Sequence, residues 1–199
     1  MKNTIIGIAV AAVVLYMWGF VYWGLGQSIY GTMIWNRTAD DVAAGEALRQ
    51  HFPADGTYYV PGFDQDQQAL EARFKQGPVA FVHMLAAGGR EAFDPSIMIQ
   101  GFVLNLVFIV LLAFMLRQVC SGLPAYADRV KFTALAGLTA AVLIDIGDAV
   151  WWQIDWGWKL YNAVYDFSAF LITGLILAKF IAACDADGPA QPEAASESS

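Results

Sequence analysis

Four stretches of this chain run for about twenty residues or more with few or no charges, the length an α-helix needs to cross bilayer hydrocarbon. They cover about 4–25, 96–116, 132–152 and 158–183. Hydrocarbon offers a backbone no hydrogen-bond partner, so a crossing segment must satisfy its own N–H and C=O groups, which a helix does. The last two stretches contain carboxylates, which lowers their hydropathy without taking them below a span. Composition points the same way: 15% of the residues are charged, where soluble domains carry about a quarter. The net charge of -7 argues against nucleic acid as a partner, because phosphate binding needs a basic face. The expected fold class is therefore an all-α membrane protein. Four transmembrane helices carry a small α/β extracytoplasmic domain inserted between helices 1 and 2.

The expected organisation is a first helix over 1–26, the outer domain over 27–95, helices 2–4 over 96–183 and a disordered tail over 184–199. The tail is rich in Ser, Glu, Ala and Pro and lacks apolar periodicity. The first stretch reads as an uncleaved anchor. Its apolar run exceeds a signal core, it holds Tyr16, Trp18, Tyr22 and Trp23, and no small-x-small site follows it. Lys2, Arg117, Arg129, Lys131 and Lys179 flank the spans on one side, whereas the link around Asp155 has no Lys or Arg between Gln153 and Gly157. By the positive-inside rule both termini are then cytoplasmic. Trp23, Trp35, Trp151, Trp152, Trp156 and Trp158 crowd the opposite boundary as an aromatic belt at the lipid headgroups, a reading preferred to a cation-binding aromatic box.

Within the outer domain, Thr38 is expected to cap a helix that opens with Asp40 and Asp41 and ends near Phe52-Pro53. A strand over 57–60, a helix over 65–76 closed by Gly77-Pro78, and a strand over 79–85 follow. So few elements make a core near the lower limit of independent stability, and the domain is expected to lean on the membrane or a partner. Cys120 and Cys184 fall at the cytoplasmic ends of spans and are expected to stay reduced and inert.

The run Trp18-Gly19-Phe20-Val21-Tyr22-Trp23 and the phrases Gly56-Thr57-Tyr58-Tyr59-Val60-Pro61 and Gly77-Pro78-Val79-Ala80-Phe81-Val82 carry a resemblance. So does the pair Trp151-Trp152 followed by Asp166 and Gly174. With these the chain resembles a family of small uncharacterised bacterial inner-membrane proteins with one span, a small periplasmic domain and three more spans. The resemblance implies that architecture and a bacterial inner membrane. It implies no activity and no functional residues.

His51 and His83 both lie in the outer domain. A metal site there would need both rings and a carboxylate such as Asp55 or Asp64, and nothing in the spacing asks for one. His83 is instead expected to be half-buried packing beside Val79, Phe81 and Leu85. No nucleophile–histidine pairing, phosphate loop or paired-cysteine motif is present, so no enzyme activity and no cofactor is expected.

The informative residues are polar groups inside the spans: Asp145 and Asp148 in the third, Asn162 and Asp166 in the fourth, Asn105 in the second. Ionisable groups at membrane depth usually face a bundle interior or a wet cavity. The short link between the third and fourth spans forces an antiparallel hairpin. Asp145 and Asp166 are equidistant from its midpoint, so they are expected to meet, with Lys159 as the nearest counter-charge. The cluster reads first as polar glue between helices, then as a proton- or cation-handling site, then as a docking surface. The expected function is a non-enzymatic accessory, assembly or interaction factor acting through its periplasmic domain. Its expected partners are the lipid bilayer and another envelope protein or a second copy. The alternative is a small oligomeric carrier or channel subunit that uses the carboxylates as a relay, and an intramembrane acid–base enzyme ranks third.

Overall fold

The computed structural model of the chain describes residues 2–63 and 66–181. Asp64, Gln65, Cys184 and the 184–199 tail lie outside the described residues. Among the described residues, four helices are long and apolar enough to cross a membrane. They are α1 (Lys2–Ile34), α4 (Pro95–Gly122), α5 (Tyr126–Trp151) and α6 (Trp156–Phe180). Between α1 and α4 in the chain lie α2 (Asp41–His51), β1 (Gly56–Val60), α3 (Gln67–Gln76) and β2 (Ala80–Met84). The chain divides into two compact units, Arg37–Asp94 and the rest.

In the helical unit α6 is the hub. It packs on α5 along one side and on α1 along the other, and α4 packs on α1. Leu15, Ile109, Leu112, Leu116 and Leu177 are fully buried where α1, α4 and α6 meet. The α5–α6 contact is built on small residues, which let two backbones approach and gain dispersion contacts along their length. Gly137 of α5 lies against Phe170, and Gly174 of α6 lies against Thr133. A side-chain carbon at either glycine has no room. The remaining faces are apolar and open, as at Leu143 and Leu104, which suits hydrocarbon and not water.

Helix α1 runs on to Ile34, well past the expected end near residue 25. Its later part contains two π-helical segments, Phe20–Leu25 and Tyr30–Ile34. The extension follows from ring packing: Trp23 and Tyr30 both lie 5.8 Å from Trp158 of α6, centroid to centroid. Helix α5 begins at Tyr126, ahead of the expected residue 132. Arg129, expected in the connection between the second and third spans, is buried there. Its guanidinium donates to the carbonyls of Leu123 at 2.8 Å, Pro124 at 2.7 Å and, through Nε, Ala178 at 3.3 Å. A cation is favoured at that end of α6, where the last carbonyls carry the negative end of the helix dipole. Cys120 is disulfide-bonded and so is not the reduced thiol expected.

The smaller unit is a two-stranded antiparallel hairpin with two helices. The register pairs Gly56 with Met84, Tyr58 with Val82 and Val60 with Ala80. Asp40, not Thr38, caps α2, accepting from the backbone N–H groups of Val42 at 2.9 Å and Ala43 at 3.0 Å. Thr38 instead donates to the Asp41 carboxylate. A carboxylate one residue before the helix satisfies two orphan N–H groups and suits the dipole, which a hydroxyl two residues earlier does not. Asp66 caps α3 in the same way. His83 stands on the exposed face of β2, hydrogen-bonded across the ladder to Thr57 at 2.7 Å, and is not the half-buried packing expected. The pleat turns Val82 and Met84 inward instead. Among the described residues of this unit only Pro61 is fully buried.

Replacing Gly174 by Leu forces α5 and α6 apart and lowers the melting temperature in detergent, by a cost of about 1–3 kcal/mol for overpacking. The same change at Gly101, which has open space around it, leaves the melt unaltered.

Candidate functional site

The link between α5 and α6 is tight because its residues make it so. Gln153 takes a positive φ of 55°, and Asp155 accepts from the Trp158 N–H at 2.8 Å, so α6 starts immediately. An antiparallel pair results, with α5 and α6 side by side. The inner face of α5 repeats every fourth residue: Thr133, Gly137, Ala141, Asp145 and Ala149 are buried. An α-helix has about 3.6 residues per turn, so a stripe at every fourth position drifts around its axis. The wider π turn over Val142–Ile146 brings it back and keeps Asp145 inside.

The Lys159 ammonium of α6 reaches across this pair. Its Nζ lies 2.7 Å from Asp145 Oδ1 and 3.0 Å from Asp148 Oδ2. The Asp145 side chain is 2% exposed, that of Lys159 11% and that of Asp148 35%, so the first ion pair is sealed and the second lies toward the surface. A lone charge at such a position is prohibitively costly, and a pair with good geometry offsets much of that cost. Asp166 of α6 places its carboxyl against that of Asp145, within range of a side-chain hydrogen bond between the two. Asp145 Oδ2 accepts no hydrogen bond from the described residues.

Of the five polar residues expected to cluster, Asp145 and Asp148 meet on Lys159, and Asp166 joins them through Asp145. Asn162 turns to its own helix and donates to the Trp158 carbonyl at 2.7 Å. Asn105 is half-buried on α4, which packs chiefly on α1, and stands outside the group. Lys159, expected as the nearest counter-charge, fills that place: its stem is long enough to reach the neighbouring helix.

Beside the ion cluster stands a second polar seam, between α6 and α1. The Tyr22 hydroxyl donates to the Tyr161 carbonyl at 2.8 Å, and the Tyr161 hydroxyl donates to the Tyr22 carbonyl at 2.9 Å. Trp18 donates to Ser168 Oγ at 2.8 Å. Around this exchange the rings of Trp23, Tyr30, Trp35, Trp158 and Tyr165 pack edge-on or tilted against one another. The expected tryptophan belt therefore divides. Trp23, Trp35 and Trp158 belong to this ring cluster, while Trp151, Trp152 and Trp156 are exposed. The signal for the cluster was Trp158, Tyr161 and Tyr165, which share a helix face at spacings of three and four.

The cluster can hold the α5–α6 pair in register and can carry a proton. Lys159→Met leaves Asp145 without its counter-charge, at a cost of about 3–5 kcal/mol for breaking a buried pair. Unfolding by SDS titration in mixed micelles shows the loss, and Lys159→Arg, which keeps the charge, recovers part of it. Compared with family models, curated proteins and solved structures, the chain matches none, so the functional reading rests on its own geometry.

Proposed function

We propose that this is a multi-pass protein of the bacterial inner membrane, with both termini cytoplasmic, acting without catalysis as an accessory, assembly or interaction factor. Its working part is the unit over 37–94, inserted between the first two spans and held in the periplasm. The partner is another envelope protein or a second copy of the chain.

The observation that carries this reading is the exposed ring set of the smaller unit. Phe63 is 70% exposed and stacks on Tyr59 at 5.1 Å, and Phe74 and Phe81 border Tyr59. Aromatic rings held outward by a scaffold are enriched at protein interfaces, where they bury large area at low entropic cost. Asp145 and Asp148 of the third span are turned onto Lys159 of the fourth, which is what polar glue between helices requires. One observation favours the alternative, a small oligomeric carrier or channel subunit: the bare carboxylate oxygen of Asp145.

Two experiments test the proposal. A reporter active only outside the cytoplasm works when fused after Gly77 or after Asp155 and is silent after Ala125; activity at Ala125 reverses the topology. A photo-crosslinking residue at Phe63 traps one discrete adduct in intact cells, and the same residue at Ala47 does not. No adduct at Phe63 removes the interaction role.

A further inference from the structure

The two carboxylate oxygens of Asp145 are treated differently by their surroundings. Oδ1 is taken by Lys159 at 2.7 Å, while Oδ2 is sealed from solvent and accepts no hydrogen bond from the described residues. Buried polar atoms are almost always paired, so an orphan on a charged group asks for a missing donor. The groups around it are already committed. Lys159 serves Asp145 Oδ1 and Asp148. Asn162 donates to the Trp158 carbonyl, and Tyr22 and Tyr161 donate to each other's backbone. Asp166 is a neighbour of another kind: its carboxyl lies within hydrogen-bonding range of the Asp145 carboxyl. An ionised carboxyl accepts only, so two carboxylates leave the orphan as it is. A single proton turns one of them into a donor.

We infer that Asp145 and Asp166 form a proton-binding site, in which one proton held on Asp166 is donated to Asp145 Oδ2 across the α5–α6 pair. Charge supports the assignment. Three carboxyls meet one ammonium here, and like charges in contact at low dielectric cannot all persist. With the proton in place Lys159 faces two carboxylates, Asp145 and the more open Asp148, and Asp166 is neutral. The proton is then a ligand of the helix pair. It bonds α6 to the π turn of α5, and separating the two helices frees it. The site goes beyond the interaction role above and does not depend on it.

Infrared spectroscopy of the full-length protein in detergent at neutral pH tests this. The wild type shows the C=O stretch of a protonated carboxylic acid, which moves on isotopic labelling of aspartate and again in deuterium oxide. The band disappears in Asp166→Asn and in Asp145→Asn and persists in Asp148→Asn. Absence of a protonated aspartate band in the wild type overturns the site, whatever the variants do. A band that survives Asp166→Asn and Asp145→Asn also overturns it, because the proton then sits elsewhere. The amide that Asp166→Asn introduces can itself donate to Asp145, so this variant keeps the wild-type near-ultraviolet dichroism while losing the band. Crosslinking from Phe63 is unaffected by any of these changes, which separates failure here from failure of the interaction role.

Discussion

The helical unit depends on one ammonium group. Lys159 starts on α6 and ends between two carboxylates of α5, so the two helices share a charge that neither can leave in place alone. Dispersion between small residues brings these helices close, but it is tolerant of sliding. An ion pair is not. It restricts the rotation of α5 about its axis and the height of α6 beside it, and Gly137 passes Phe170 and Gly174 passes Thr133 in that same register. At the opposite end Arg129 does the same with backbone carbonyls, so the pair is held at both ends by buried cations and between them by small residues.

The spans were legible because hydropathy is a local property: any stretch of about twenty apolar residues declares itself without reference to the rest of the chain. The symmetry of a short hairpin also set the expectation that Asp145 and Asp166 lie at one depth, and it offered Lys159 as the counter-charge that Asp145 takes. What escaped the sequence is what one element imposes on another. Helix α1 continues through Trp23 and Tyr30 because rings on α6 receive them, and nothing near residue 25 announces it. The π turn that holds Asp145 inward answers a drift that accumulates over the whole of α5. Arg129 looks like one of the flanking charges that orient a membrane helix, and only a neighbouring helix reveals it as internal. In the smaller unit the capping aspartates were in view, but the choice between Thr38 and Asp40 turned on a backbone conformation, extended at Asp40, that composition does not encode.

The two units are stabilised by different means. The helical unit has fully buried leucines and buried charges, and its outer faces are at ease only in hydrocarbon. The unit over 37–94 relies on two helix caps, one antiparallel ladder and a cluster of rings around Tyr59, with little sealed from solvent. Proteins place their changeable surfaces on parts like the second, where few contacts are lost when a partner arrives.

The central position of α6 has a consequence for how the protein comes to be. This helix joins α5 to α1, yet the ribosome makes it after both. Until it is synthesised, Asp145 has no ammonium to meet and the rings of α1 have no surface to lie on. The earlier helices therefore carry an unmatched acid until α6 follows, a costly state for an apolar helix. The tight link from Trp152 to Asp155 shortens that interval, because α6 follows α5 within a few residues and brings Lys159 to Asp145 as soon as the two pack.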